Sequence, residues 1–376
     1  MAADKRGRKL PKGIRQRSAS TYEGRFMYQG ESYTVHAKTI TETQKLMNDA
    51  KYKLEHGFYT AAGKITFEEW FNTWMQQYKK NTVKAGTYES YKYYYAMAVK
   101  DQIGRKRLEN LRSEHIQKIY NDMAEGGYKL SSVKGVSAML KGCFSQAVKN
   151  QLIAYNPMNA VELPRCEGRK ERVALTKEQQ DLFLKYAKQS GYYRFFKLLL
   201  LTGMRNGELR GLRYLDVDKK ANVIHVRRTI KYIKGEGMIE DTPKSKTSAR
   251  DIPLRSDIVE LLHEQRNLNE LCGIKAIDGY YFQGSNPGSP ISAPAVAAAI
   301  KKIVEQIRGD GYEFPEITAH SLRHTFATRA IEAGMQPQTL KTILGHSSLN
   351  MTMDLYSHVM ATTKQDEMEK IANAFI

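Results

Sequence analysis

A break in the middle of the chain constrains its architecture more than any other feature. Residues 156–172 read NPMNAVELPRCEGRKER. Pro157 and Pro164 lack a backbone N–H and push the residue before them out of the helical region. Arg165, Arg169, Lys170 and Arg172 add like charges to a run with little to bury. An extended linker over 161–172 satisfies both conditions. Apolar periodicity resumes on either side, so the 376 residues divide into separately cored bodies.

Before the linker, Thr66 and Glu69 form a capping box ahead of Trp70, Phe71, Trp74 and Tyr78, a helical stripe that reads as core. Helical patterns near 87–98, 113–125 and 131–150 complete an all-helical domain, 64–160. Within it GTYESYKYYYAMAVK interleaves tyrosines with lysines; most of these rings are expected to face inward, although the same residue types grip phosphates. Farther upstream, Tyr22, Phe26 and Tyr28 alternate on one side of Gln29-Gly30, and Tyr33, Val35 and Ala37 on the other, as in a β-hairpin. TITETQKLMNDAKYKLEHG then reads as a helix ending at Gly57. The first twenty residues carry Lys5, Arg6, Arg8, Lys9, Lys12, Arg15 and Arg17 against Asp4 and read as a solvated basic arm. Residues 1–60 thus form a small strand-and-helix module.

A net charge of +19 makes nucleic acid the first partner to consider. No apolar span of transmembrane length, signal-peptide core or lipidation signal is visible, which points to the cytoplasm and away from a membrane partner. Cys143, Cys166 and Cys272 are widely spaced and odd in number, which disfavours a disulfide framework or thiolate metal site.

After the linker, Thr176 and Gln179 open a helical domain interrupted by strand-like NVIHVRRTIKYI and RDIPL. TAHSLRHTFATRAIEAG is a helix from its N-cap Thr318 to Gly334 just past its end, with His320, Arg323 and His324 on one face and Leu322 and Phe326 directed into a core. PQTLKTIL, with Pro337 in its first turn and Gly345 closing it, sets His346 immediately after a helix end. In LLLLTGMRNGELRGL, Arg205 follows a strongly apolar helix. Glu208, three positions on, offers a surface ion pair, whereas Gly203 and Gly207 indicate backbone held close to something. DTPKSKTSARDIPL reads as two strands flanking a polar turn with Lys244 and Lys246. Singly, these features fit solvated faces and satisfied loop histidines. Together, two arginines, a lysine, two histidines and a tyrosine without an acidic cluster for Mg²⁺ describe metal-free cleavage of a phosphodiester. Guanidinium forks can neutralise the non-bridging oxygens, lysine on a mobile hairpin can protonate the leaving 5′-oxygen, and a phenol can attack.

The segments TGMRNGE, HSLRHTFAT and LGHSSLNMTMDLYSH, with their order over 173–360 and the ten-residue step from His346 to Tyr356, resemble the signature of the tyrosine recombinases, the lambda-type phage integrases and their relatives. The upstream layout resembles in particular the integrases of Gram-positive conjugative transposons. The resemblance implies a multidomain fold: a small α+β arm-type DNA-binding domain (1–60), an all-α core-binding domain (64–160), and a mainly α catalytic domain with a small antiparallel β-sheet (173–363). It implies Arg205 and Arg323 as phosphate clamp and Tyr356 as the nucleophile of a 3′-phosphotyrosyl bond. Lys246, preferred over Lys244, would be the leaving-group acid, with His320 and His346 assisting and His324 supporting the helix. No cofactor, metal or ATP is implied, since the phosphotyrosine keeps the bond energy. The implied partners are double-stranded DNA at core and arm sites, further copies of the chain from dimer to tetramer, and an excisionase or DNA-bending accessory protein. Met368, Ile371, Ala372 and Phe375 let the tail 364–376 form a short amphipathic helix whose apolar face needs a partner: it either folds back on its own domain or, as the resemblance implies, docks on a neighbouring subunit. The alternatives are a type IB topoisomerase-like relaxing enzyme, which needs neither arm module nor linking tail, and a non-catalytic DNA-binding regulator, against which the filled reactive positions speak.

Overall fold

The structure, a computed structural model, describes residues 10–18, 20–28, 30–55, 65–166, 173–233, 235–241, 249–274, 277–286 and 288–359. The chain divides into two compact units, Met1–Arg169 and Lys170–Ile376. Among the described residues no helix is long and apolar enough to cross a membrane.

The first unit opens with β1 (Ile14–Ser18), β2 (Thr21–Tyr28) and β3 (Glu31–Ala37), an antiparallel sheet in that order, on which α1 (Ile40–Glu55) packs. Tyr28 pairs with Glu31 around the expected hairpin turn. The helix stop expected at Gly57 lies outside the described residues. Of the expected solvated basic arm, Lys5, Arg6, Arg8 and Lys9 lie outside the described residues, and residues 10–18 are not solvated throughout. Leu10 and Ile14 are 7% and 3% exposed and join Tyr22, Phe26, Met47 and Ala50 in a small core, while Ile14 pairs with Gly24. Two apolar residues among many charges are enough for an edge strand, because the Arg15 guanidinium can stay in water and still reach the buried Glu23 carboxylate at 2.7 Å.

A second core in this unit is helical. α2 (Phe67–Thr73) starts on the expected Thr66–Glu69 capping box and continues as a π-helical turn, Trp74–Lys79. α3 (Ala85–Tyr94) runs into another π-helical stretch, Tyr95–Gly104, and α4 (Ser113–Glu125) and α5 (Leu130–Lys149) follow. Trp70, Phe71 and Trp74 are buried as expected, with Phe71 stacked on Tyr95 at 4.0 Å, while Tyr78, the last of the stripe, is half-buried with its hydroxyl accepting from Asn150. Of the tyrosines in 86–100, however, only Tyr95 is buried; Tyr88, Tyr91 and Tyr94 are half-buried and Tyr93 is exposed. A phenol ring tolerates the core boundary by covering apolar surface while its hydroxyl stays wet.

The second unit contains α6 (Lys177–Ala187), α7 (Tyr193–Thr202), α8 (Asn206–Arg210), β4 (Val217–Asp218), β5 (Val223–Val226), β6 (Thr229–Ile233), β7 (Gly237–Asp241), β8 (Arg250–Pro253), α9 (Ser256–Leu271), α10 (Ala293–Gly309), α11 (Ala319–Glu332), α12 (Pro337–Leu344) and α13 (Asn350–Val359). Its central helix is α7, where Phe195, Phe196, Leu198 and Leu199 are all fully buried. α7 stops at Gly203 in the left-handed conformation, φ +61°, where a Cβ would come within 2.3 Å of the Phe326 ring. That turn sends Arg205 to the start of α8. The strands flanking 242–248 are not partners as the hairpin reading required: β8 joins β5 and β4, whereas β7 folds back on β6. NVIHVRRTIKYI breaks at Arg227-Arg228 into two strands, and each half takes a different neighbour.

Candidate active site

The site is built on the C-terminus of α12. The helix closes with Gly345 N–H on the Thr342 carbonyl and His346 N–H on that of Lys341, both at 3.1 Å, and Gly345 adopts φ +64°. The next three carbonyls each receive an arginine. Arg250 Nε donates to Ile343, Arg323 Nη2 to Leu344 at 2.6 Å, and Arg205 Nη2 to Gly345 at 2.8 Å. Cations belong here, because the unsatisfied carbonyls and the helix dipole concentrate partial negative charge at this end. The arginines arrive from separate elements: Arg205 caps α8, Arg323 lies within α11, and Arg250 begins β8. Arg323 also donates through Nη1 to the Gly203 carbonyl at 2.8 Å, so the α7 turn and the α12 end share one guanidinium.

Glu208 lies inside this cluster, not in a surface ion pair. Its side chain is 6% exposed. One carboxylate oxygen accepts from Arg205 Nη1 at 2.7 Å and Arg250 Nη1 at 3.0 Å; the other accepts from Arg250 Nη2 and the Arg205 backbone N–H, both at 2.8 Å. Burial pushes the carboxyl up, but the Arg250 hydrogen bonds and charge, followed by those of Arg205, outweigh it and hold Glu208 below the usual carboxylate range. Burial, then the Arg205 charge, push the Arg323 guanidinium down to about 9, with Glu208 opposing and Arg250 adding to the shift. It remains charged at neutral pH. Three guanidiniums facing one carboxylate leave excess positive charge. Arg205, 37% exposed, is the member that an arriving anion meets first, since the Arg250 side chain is 2% exposed and Arg323 is 3% exposed.

His346 is buried beside this turn, its Nδ1 2.9 Å from the hydroxyl of the fully buried Thr352, which orients the ring. His320 and His324 share a face of α11 as expected, their rings edge-on at 4.5 Å, but burial differs along it: Arg323 and His324 are buried, while His320 is exposed in the first turn. Tyr356 is 9% exposed on α13 and packs with Ala330, Ile331, Leu340 and Leu344. Its hydroxyl donates to the Met335 carbonyl, and burial raises the phenol above its ordinary value. The α12 terminus therefore gathers Arg205, Arg323 and His346 and packs the Tyr356 ring; Lys244 and Lys246 lie outside the described residues. Among the described residues no group of three His, Cys, Asp or Glu side chains could hold a metal ion.

Residues 174–363 match the phage integrase family, and residues 66–124 match the N-terminal SAM-like domain of phage integrases. The chain belongs to the phage integrase family. As a tyrosine recombinase of that family it is an enzyme of DNA cleavage and rejoining. A XerC-like tyrosine recombinase of Caldanaerobacter subterraneus is 27% identical over 91% of each chain. The transposase of transposon Tn916 from Enterococcus faecalis is 24% identical over 98% of this chain and 96% of its own. The Tn1549 transposon integrase, solved in complex with transposon right end DNA, superimposes with a TM-score of 0.72 at 25% identity, covering 82% of this chain and 100% of that one.

Two polar residues of this integrase's site escaped the sequence reading. Thr352 carried no signal, because its link to His346 spans a helix start. Arg250 carried one: alternation along RDIPL puts it on the same face as Ile252, which is 3% exposed.

Proposed function

We propose that this integrase integrates and excises a mobile element, through a 3′-phosphotyrosyl bond to Tyr356. The observation that carries the assignment of roles is the convergence of Arg205 and Arg323 on the α12 terminus that presents His346 and packs the Tyr356 ring. Scissile-phosphate oxygens take the guanidinium donors now given to the Gly345 and Leu344 carbonyls, and the developing negative charge meets the cluster's positive excess. Tyr356 leaves the Met335 carbonyl, loses its proton with the help of His320 and His346, and bonds to phosphorus. The bond from phosphorus to the 5′-oxygen breaks, and Lys246 supplies the proton to that oxygen. Attack by a 5′-hydroxyl on the phosphotyrosine reverses these steps on a new strand. The likeness to conjugative-transposon enzymes supports the mobile-element substrate. Residues 1–60 serve arm sites and residues 64–160 the core site, dimers to tetramers assemble on cytoplasmic DNA with an accessory protein, and the tail 364–376, which lies outside the described residues, links subunits.

The test is a nicked duplex whose core sequence is selected from a random pool by the full chain, incubated in EDTA without ATP. A denaturant-resistant protein–DNA adduct is expected. A footprinted duplex that never gives an adduct contradicts the proposal.

Removing residues 1–60 is expected to leave core-site cleavage within about threefold while abolishing binding to separate arm sites, with both contacts weakening steeply as salt rises. Filter binding and footprinting from low to high salt measure this; an unchanged footprint would reduce the module to a structural part.

A further inference from the structure

We infer that Arg250 is a positioning residue for the recombination reaction, acting through Glu208 on Arg205. The inference rests on the clamp role proposed for Arg205 and adds a third arginine to it.

All three guanidinium nitrogens of Arg250 are spent on the site. Two grip the Glu208 carboxylate at 3.0 and 2.8 Å, and Nε holds the Ile343 carbonyl. The side chain is 2% exposed, too enclosed to meet DNA as Arg205 can. Glu208 in turn holds Arg205 twice, by side chain and by backbone N–H. A carboxylate gripped from one side by a fork cannot rotate, so both oxygens stay aimed at Arg205. Without the fork, Glu208 would have one arginine to satisfy two buried oxygens, and Arg205 would be drawn to its carboxylate at the expense of the phosphate. Arg250 therefore does two jobs that distance alone would not reveal: it fixes the angle of the clamp arginine, and it neutralises the carboxylate so that Arg205 keeps its charge for substrate. The Cδ of Arg250 also lies 3.1 Å from where a Cβ on Gly345 would stand, so the fork and the αL turn that offers the Gly345 carbonyl are packed as one piece.

The test compares wild type, Arg250→Met and Arg250→Lys, all full-length, on the selected nicked duplex in three forms. One has an ordinary scissile phosphate. The second has a neutral methylphosphonate, which lacks one anionic oxygen and needs less of the clamp. The third has a 5′-bridging sulfur, whose thiolate leaves without a proton donor. On ordinary phosphate, Arg250→Met is expected to cleave about 100-fold more slowly than wild type, as for a clamp misplaced by an ångström, with core-site Kd within about threefold. Arg250→Lys, which keeps charge and bulk but not the fork, should fall between the two and controls for folding. The deficit should shrink to less than about tenfold on methylphosphonate and persist on the sulfur substrate. Three outcomes overturn the inference: both folded variants cleaving ordinary phosphate at wild-type rate, the sulfur substrate restoring the rate, or an equal deficit on all three substrates, the mark of a merely structural role. Wild type forming no adduct on any of them overturns the proposed function instead.

Discussion

Tyr356→Phe is expected to bind core-site DNA with a Kd within about threefold of wild type and to form no covalent adduct, a loss of at least about 10⁴-fold in cleavage. The size follows from the chemistry: without an oxygen on that ring there is nothing to bond to phosphorus, and the neighbouring clamp cannot substitute for a nucleophile. The substitution is mild for the fold. The phenol sits in an apolar cluster and its hydroxyl donates to the Met335 carbonyl. Deleting it leaves a carbonyl short of one donor, a cost of about 1–3 kcal/mol at most, partly offset by the more apolar ring. Gel assays of adduct and binding check both halves. Adduct formation by the phenylalanine variant would move the nucleophile elsewhere.

Arg323→Lys is expected to lower cleavage by about 10²–10³-fold and also to lower Tm, whereas Arg205→Lys should cost a similar factor in rate with little change in Tm. The difference comes from burial. Arg323 is 3% exposed and bridges the Gly203 and Leu344 carbonyls, and an ammonium cannot reach both, so one buried acceptor goes unmet at about 1–3 kcal/mol. Arg205 is 37% exposed, and water can replace what lysine fails to reach. Rates within a few-fold of wild type for both variants would discard the clamp, and an equal fall in Tm would contradict the division between buried and exposed arginine.

Where sequence carried a local physical rule, the structure follows it. Thr66 with Glu69 and Thr318 with Ser321 set helix starts through hydrogen bonds three residues long, Pro337 does so through its fixed φ, and Gly334 and Gly345 take a positive φ just past the helix ends, all where they were expected. Arg205, Arg323, His346 and Tyr356 were legible as an ordered set. What was not legible depends on partners distant in sequence. Glu208 reads as a surface acid until Arg250, 42 residues on, closes over it. Leu10 and Ile14 look too sparse to fold until β2 pairs beside them. The strands around 242–248 look like a hairpin until the break at Arg227-Arg228 gives β7 a nearer partner. The engagement of the Tyr356 hydroxyl by Met335 had no sequence signal at all, since a backbone carbonyl carries none.

The most direct measurement is to trap wild-type protein on the nicked duplex, digest the adduct with protease and sequence the nucleotide-bearing peptide by mass spectrometry. The nucleotide is expected on Tyr356, attached through a 3′-phosphate. A nucleotide on any other residue, or a 5′-linkage, would contradict the site built around α12.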